Sequence, residues 1–290
     1  MRLSDLRADV IKILTASSED KKSASFEADE IIGGALETAR AFLHAHPEKI
    51  IDGSRLGAIM SAARLRAEGM PLAYIIGNAL FRGRVMAVGE GVLIPRPETE
   101  ILTAIADDYI KGIGGRAVFA DWCAGSGCIG ITLLADNPAS RCFAADVSER
   151  ALSYARINAE ACGVTGRMSF INCASPSESG IAENSLDMIV TNPPYIPAGE
   201  ISSLERQVRV YEPREALDGG MDGLDVCRII LSEAPRLMKD GAVLIMETGG
   251  GEQPDETARM AAVGSSLRFI KKIPDHRNID RFVVYAKMNG

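Results

Sequence analysis

From Gly115 onward the chain repeats one alternation: a short apolar run, a turn, an amphipathic stretch at helical spacing, then another apolar run. The runs Val118 to Ala120, Cys142 to Ala145, Met168 to Asn172, Asp187 to Thr191 and Ala242 to Met246 read as strands. Between them Ile129 to Ala135, Ser148 to Ala161 and Leu224 to Leu237 read as helices, with Ser148 suited to the N-cap of the second. Two further strands are expected near Phe269 and at Phe282 to Ala286. Strands separated by helices must be joined by crossovers, and crossovers lay strands side by side in parallel. The expectation is an α/β fold built on a doubly wound, mostly parallel seven-stranded sheet.

The first quarter of the chain follows a different period. Leu3, Leu6, Val10 and Leu14 fall on one helical face, Ala28 to Leu43 continues the pattern, and Arg55 to Glu68 forms a third amphipathic stretch. Pro47, Gly53 and Gly69 punctuate them. Residues 1–75 are therefore expected to form a small helical domain with no evident catalytic residue. Phe81 to Ile94 reads as a β-hairpin, making 76–97 a linker and leaving 98–290 for the α/β domain. A helix is expected to start after Pro97 and run through Tyr109. Glu98 and Glu100 suit its first turn, where the dipole favours negative charge.

Composition narrows the function classes. A formal net charge of -7 over 290 residues lacks the global attraction of a non-specific nucleic-acid binder. Arg64 and Arg66 leave room for a local basic patch, against the alternative of a solvated helix face. The six cysteines form no CxxC pair and read as buried free thiols in a reducing compartment. The three histidines are too scattered for a metal site, with His44 and His46 expected at the surface near a helix end. The N-terminus lacks the apolar core of a signal peptide, and no stretch reaches the roughly 20 apolar residues that span a membrane. These features predict a cytoplasmic protein with no metal and no membrane partner.

Two loops carry chemistry. Asp121 to Gly127 follows the first strand of the α/β region and opens its first helix. Within it Gly125 and Gly127 permit a tight turn and close approach of a ligand. The spacing is not G-x-G-x-x-G, and a structural β–α turn is the alternative. Asp146 ends the next strand, about 20 residues on, where a carboxylate can accept bonds from both ribose hydroxyls of a nucleoside. The second loop, Asn192-Pro193-Pro194-Tyr195, stops the fourth strand abruptly with a rigid polar corner. The Asn192 side-chain oxygen can accept one N–H of a planar NH2 group and the Pro193 carbonyl the other, with Tyr195 as a flat wall. The nitrogen lone pair is then free to face an electrophile bound over the glycine loop. A plain strand-ending turn is the alternative; taken with Asp146 and the glycine loop, the corner reads as methyl transfer from S-adenosylmethionine.

Several segments together resemble the HemK/PrmC family, the protein-(glutamine-N5) methyltransferases of peptide chain release factors. Pro71 to Gly77 is similar to the family's linker, Leu93 to Glu100 to its IPRPxTE signature, and Asp121 to Gly127 to its cofactor loop. Asn192 to Tyr195 matches its NPPY, Tyr211 to Leu224 its EPxxALxGGxDGL, and Asp275 to Arg281 its DxxxxxR end. The resemblance spans about residues 71–286 and is weaker over the N-terminal helices. It implies a Rossmann-like class I methyltransferase domain and a helical substrate-binding domain. It implies S-adenosyl-L-methionine held by Cys123, Ala124, Gly125, Ser126, Gly127, Asp146, Ala174 and Asn192. The substrate would be the glutamine of the Gly-Gly-Gln loop of class 1 release factors. Asn192, Pro193 and Tyr195 would act catalytically, and Asn192 to Tyr195 with Arg96 would bind the substrate. Arg96 is expected to tie the hairpin to the site through a carboxylate such as Glu212, against the alternative of a surface arginine at a helix entry.

Two departures stand out. Cys123 replaces the usual glycine at the start of the loop, which is expected to shift the methionine end of the cofactor. An Asp and an aromatic that face the adenine in relatives are missing around Ala174, leaving a backbone contact there. Two rival readings remain: an adenine-N6 nucleic-acid methyltransferase that clamps a flipped base in the same corner, and an inactive methyltransferase-like protein that only binds a translation factor. The expected partner is a release factor rather than nucleic acid, and the chain is expected to be a monomer.

Overall fold

The computed structural model describes residues 1–17, 21–263 and 266–289. The chain divides into two compact units, Met1–Asn78 with Glu205–Tyr211, and Ala79–Leu204 with Glu212–Gly290.

The first unit is helical: α1 (Leu3–Ser17), α2 (Lys21–Leu36), α3 (Arg40–Ala45), α4 (Gly53–Ala67) and α5 (Leu72–Ile76). Leu3, Leu6, Val10 and Leu14 are all buried, packed with Ile31, Ile32, Leu43 and Ile59. The single helix expected from Ala28 to Leu43 is two. The chain turns at Glu37, whose φ of 52° is left-handed, and the Thr38 N–H closes back on the Gly33 carbonyl. Under this core Asp29 is fully buried and accepts from Arg7 at 2.6 Å, Arg40 at 2.9 Å and His44 at 3.0 Å. His44 lies at the end of α3 as expected, with its side chain half exposed. Arg66 is no free basic surface, because both its Nε and Nη2 bond the Glu27 carboxylate.

The second unit opens with a hairpin, β1 (Asn78–Phe81) and β2 (Arg84–Ala87), then α6 (Pro97–Gly112). The hairpin sits earlier than expected. Arg82 and Gly83 both have positive φ, the geometry of a two-residue I′ turn, so the strands end before Val88. Glu98 and Glu100 lie in the first turn of α6, and Glu100 also accepts the Arg82 backbone N–H. There follow β3 (Val118–Trp122), α7 (Cys128–Asp136), β4 (Arg141–Asp146), α8 (Glu149–Ala161), β5 (Met168–Asn172) and β6 (Leu186–Thr191). A short helix α9 (Arg206–Tyr211) returns to the first unit, where Arg206 Nε donates to the Glu68 carbonyl. The chain ends with α10 (Asp225–Glu233), β7 (Met238–Glu247), α11 (Gln253–Ala262), β8 (Leu267–Pro274) and β9 (Asp280–Lys287). The helix expected over Leu224 to Leu237 stops earlier, because Pro235 offers no N–H to continue the ladder and the chain tightens into a 3-10 turn.

The seven-stranded sheet has the order β5-β4-β3-β6-β7-β9-β8, with only β9 antiparallel to its neighbours. Alternate residues of each strand face opposite layers. Phe119, Ala144, Met188, Val190 and Ile245 pack beneath α6 and α7, whereas Ala120, Ala145, Ile189 and Leu244 pack against α10. Both faces are covered, which is why these strands are almost continuously apolar. Chain order reverses between β3 and β6: β4 and β5 lie on one side of β3, and β6 on the other. Such a switch point opens a crevice at the carboxyl ends of the strands. The two loops singled out from the sequence leave the sheet there.

Candidate active site

The crevice holds a cavity of about 300 Å³. Cys123, Ala124, Gly125 and Ser126 from the β3 loop line it, with Asp146 from β4, Ala174 after β5, Asn192 and Pro194 after β6, and Arg96 and Thr99 at the start of α6. Gly127, Pro193 and Tyr195 are not among the lining residues, and their contacts explain where they are. Gly127 caps α7 with φ 76°, and a Cβ there would come within 2.9 Å of Ile131 and 3.1 Å of Ala155. Its role is close helix packing. Pro193 is buried under the corner, and the Tyr195 hydroxyl turns towards Glu247, 3.5 Å away.

The glycine loop fits a nucleoside ligand on two observations. A Cβ on Gly125 would meet nothing within 4 Å, so the space over the loop is open. Asp146 holds its carboxylate at the cavity edge: Oδ2 accepts the Gly125 N–H at 2.8 Å and Oδ1 the Ser148 N–H at 2.9 Å. Each oxygen keeps a lone pair for a further donor. Burial pushes the Asp146 carboxyl up from its ordinary range, and these two backbone N–H groups work against that rise. Ser148 caps α8 as expected by accepting from Ala151. Cys123 adopts φ 59°, the left-handed region that a glycine there would take freely, and burial holds its thiol well above its usual pKa. At Ala174 the backbone N–H already donates to Glu178 at 3.1 Å. The wall beyond is apolar, from Pro213, Ala216, Val226 and Ile229.

The corner at Asn192 is held by residues from three elements. The Asn192 Nδ2 donates to Thr99 Oγ1 at 3.1 Å, and Thr99 Oγ1 donates to Glu247 Oε2 at 3.0 Å. Glu247 closes β7 with 1% of its surface exposed, and Thr99 retains 3%. Burial, with Glu98 nearby, raises the Glu247 carboxyl to about 7, although Thr99, Arg281 and Tyr195 pull it down. Behind the corner Gln253 donates to the Tyr195 carbonyl and accepts from the Gly249 N–H, both at 2.8 Å. The segment Gly219 to Gly223 packs directly on this backbone. A Cβ on Gly223, which has φ 80°, would overlap the Tyr195 carbonyl oxygen. A Cβ on Gly219 would overlap the Pro194 carbonyl oxygen, and one on Gly220 would overlap Asp225, so each glycine of the EPxxALxGGxDGL segment has its own steric reason.

Arg96 pairs with the buried Glu212 at 2.5 Å, and the other Glu212 oxygen accepts the Ile94 N–H at 3.1 Å. The expected partner is therefore the observed one, and it fixes the loop that carries Leu93 and Pro95 along the cavity wall. The hairpin is tied in separately. Buried Asn158 accepts from Ala87 N at 2.6 Å and donates to Ala87 O and to Ser126 O in the glycine loop. The sequence reading did not single out Thr99, Glu247, Gln253 or Asn158. Only Glu247 carried a usable signal, an acid at the carboxyl end of an apolar strand, the same placement as Asp146.

The comparisons agree with this architecture. A model of the methyltransferase small domain matches residues 107–218, and one of the PrmC N-terminal domain matches residues 5–77. Among solved structures, P. horikoshii TYW2 in complex with MeSAdo is 14% identical with a TM-score of 0.51, covering 73% of this chain and 71% of its own, which is a likeness of fold. The release factor glutamine methyltransferase of Nitratidesulfovibrio vulgaris is 35% identical over 262 residues, 90% of this chain and 88% of the relative. That of Chlorobaculum tepidum is 36% identical over 282 residues, 94% of each. With matches of this length and identity, the chain belongs to the release factor glutamine methyltransferase family.

Proposed function

We propose that this protein transfers a methyl group from S-adenosylmethionine to the side-chain amide nitrogen (N5) of the glutamine in the Gly-Gly-Gln loop of class 1 peptide chain release factors. The reading rests on one observation above the others: a half-buried carboxamide, Asn192, is tied by its nitrogen to Thr99 in the crevice that the glycine loop and Asp146 also line. Its oxygen is left to accept an N–H from a planar NH2 group. Asp146 would hold the ribose hydroxyls, and Cys123 to Ser126 with Ala174 would line the rest of the cofactor, while Gly127 shapes the loop.

Bound there, S-adenosylmethionine supplies an electrophilic methyl group on a sulfonium. The chain's own residues do the positioning. The Asn192 oxygen accepts one amide N–H of the substrate and the Pro193 carbonyl the other, with Pro194 on the cavity wall and Tyr195 flanking the corner beside it. A carboxamide nitrogen is a weak nucleophile, so holding it in line matters more than activating it. Such orientation is worth about 7–11 kcal/mol in favourable cases. The same two oxygens stabilise positive charge as it develops on the nitrogen. The proton leaves to water afterwards, without a dedicated base. Arg96 supports the substrate side of the cavity, and residues 1–75 form the substrate-binding domain, joined through the hairpin segment 76–97 to the methyltransferase domain 98–290. The protein acts as a monomer in the cytoplasm on a protein rather than a nucleic acid. No helix among the described residues is long and apolar enough to cross a membrane.

The deciding experiment is transfer of an isotopically labelled methyl group to a purified release factor, with and without its loop glutamine changed to alanine. Label on the intact factor alone is the expected result. Label on both factors, on DNA, or on neither would overturn the reading.

A further inference from the structure

Three residues from different elements form one hydrogen-bonded line whose direction is set by chemistry. Ionised Glu247 can only accept, so the single hydroxyl hydrogen of Thr99 must go to it. The Thr99 oxygen must then accept, and the group it accepts from is the Asn192 NH2. This leaves the Asn192 carbonyl oxygen, not its NH2, for the cavity that Asn192 lines. The geometry is built in. Thr191 and Met246 stand opposite each other on parallel β6 and β7, so Asn192 and Glu247 leave the sheet as neighbours, and α6 places Thr99 between them.

We propose that Glu247 is a positioning residue which, through Thr99, fixes the orientation of the Asn192 carboxamide so that an acceptor faces the substrate nitrogen. The inference rests on the glutamine-methylation reading and deepens it. Were Glu247 protonated on Oε2, the oxygen that faces Thr99, it would donate to Thr99, and Thr99 would donate onward. Asn192 would then turn its oxygen to Thr99 and its NH2 to the cavity, where a donor would meet the donor of the substrate. The groups facing Glu247 are Thr99 and Glu98 on α6, Tyr195 at the corner, Arg281 after the start of β9 and Cys128 on α7. Of these, Glu98 favours the protonated acid, while Thr99, Tyr195 and Arg281 favour the carboxylate. Burial dominates and places the carboxyl near 7. Turnover is therefore expected to rise with pH through neutrality as Glu247 ionises.

The test compares wild type, Thr99→Val, Thr99→Ser and Glu247→Gln on one release factor, with cofactor affinity measured in parallel. Thr99→Val keeps the shape and removes both bonds. It is expected to lower kcat by about tenfold or more while leaving cofactor Kd within about twofold, and Thr99→Ser is expected to restore kcat. The acid limb of the wild-type kcat profile is expected to vanish in Glu247→Gln, whatever its absolute rate. An unchanged limb in Glu247→Gln, or wild-type kcat in Thr99→Val, would overturn the proposal. If Thr99→Val does not fold, the two pH profiles decide alone. Wild-type protein that methylates no release factor sinks the functional reading itself, whereas an active wild type with indifferent variants sinks only the role of Glu247.

Discussion

Trp122 and Thr191 stand opposite each other on adjacent parallel strands, so the residues that follow them, Cys123 and Asn192, leave the sheet side by side. One begins the loop over which a cofactor can lie. The other begins the corner that can hold an amide. The register of a single strand pair thereby brings the two halves of the reaction together.

If Asn192 holds the substrate amide, removing its side chain must cost turnover more than cofactor binding. Asn192→Ala is expected to lower kcat by about 10²–10³-fold, the scale seen when one preorganised polar group is lost. Cofactor affinity should weaken by less than about tenfold, as befits one hydrogen bond. Steady-state kinetics and calorimetric titration with the cofactor check this, and equal losses in both would remove the clamp role.

Gly125 and Gly127 should fail differently when replaced by alanine. Both have positive φ, so each substitution costs about 1–2 kcal/mol of backbone strain. Gly127→Ala adds the clash with Ile131 and Ala155, for a total loss of about 2–4 kcal/mol in urea unfolding. Gly125→Ala meets no protein atom and should remain folded, but its methyl enters the space over the loop and should abolish cofactor binding.

Gln253 braces the corner from behind by bonding both Tyr195 O and Gly249 N. Gln253→Leu keeps the bulk and loses both bonds, with an expected cost of about 1–3 kcal/mol. Because the brace touches the backbone of Tyr195, kcat should fall along with stability. A destabilised but fully active variant would show that the corner is rigid without it.

Asp121 is fully buried, with Oδ2 accepting from Gly130 N and Oδ1 lacking a hydrogen-bond partner among the described residues. Burial raises its carboxyl from 3.8 to about 8. The folded state therefore binds a proton that the unfolded chain releases above pH 3.8. Its contribution to stability is full below that pH and is lost as pH rises through about 8. Asp121→Asn should gain stability relative to wild type between pH 5 and pH 8.5, measured as the difference in melting temperature. A difference independent of pH would mean that Asp121 is ionised in the folded protein.

Asp29 shows the opposite sign. Burial alone would raise it, but hydrogen bonds from Arg7, His44 and Arg40 outweigh burial and hold it below its ordinary value. Its stabilisation is present above about pH 4 and fades as pH falls. Asp29→Ala should cost about 1–3 kcal/mol at neutral pH, less than a fully buried pair because its partners are partly exposed. Helical circular dichroism should register the loss more strongly than fluorescence of Trp122, the chain's single tryptophan, which lies in the other unit.

Apolar periodicity missed α11, but alone it placed β5 at Met168–Asn172 to the residue and located the other strands of the seven-stranded sheet and α6, α7, α8 and α10 within a few positions. It did so because burial on both faces of a parallel sheet writes continuous apolar runs into the chain. It misplaced the hairpin, since the Arg82–Gly83 turn depends on backbone dihedrals that Arg does not advertise. It merged α2 with α3 because their apolar spacing continues across the break.

The same division holds at the candidate site. Asn192 to Tyr195, the glycine loop and Asp146 were legible because each pairs a distinctive residue type with the end of a strand, a position that local pattern reveals. The family they point to follows from the sequence by itself. Thr99 and Gln253 were not legible, because a threonine and a glutamine are ordinary until something stands beside them, and Glu247 offered only its place at the end of an apolar strand. Thr99 and Asn192 are 93 residues apart, and Thr99 and Glu247 are 148 apart. Only the register of the sheet and the packing of α6 against it bring them within 3.1 Å. The sequence determined which groups could hold an amide and a nucleoside; the tertiary structure alone decided which way the Asn192 amide faces, because a hydrogen bond's direction is set by the partners that folding supplies.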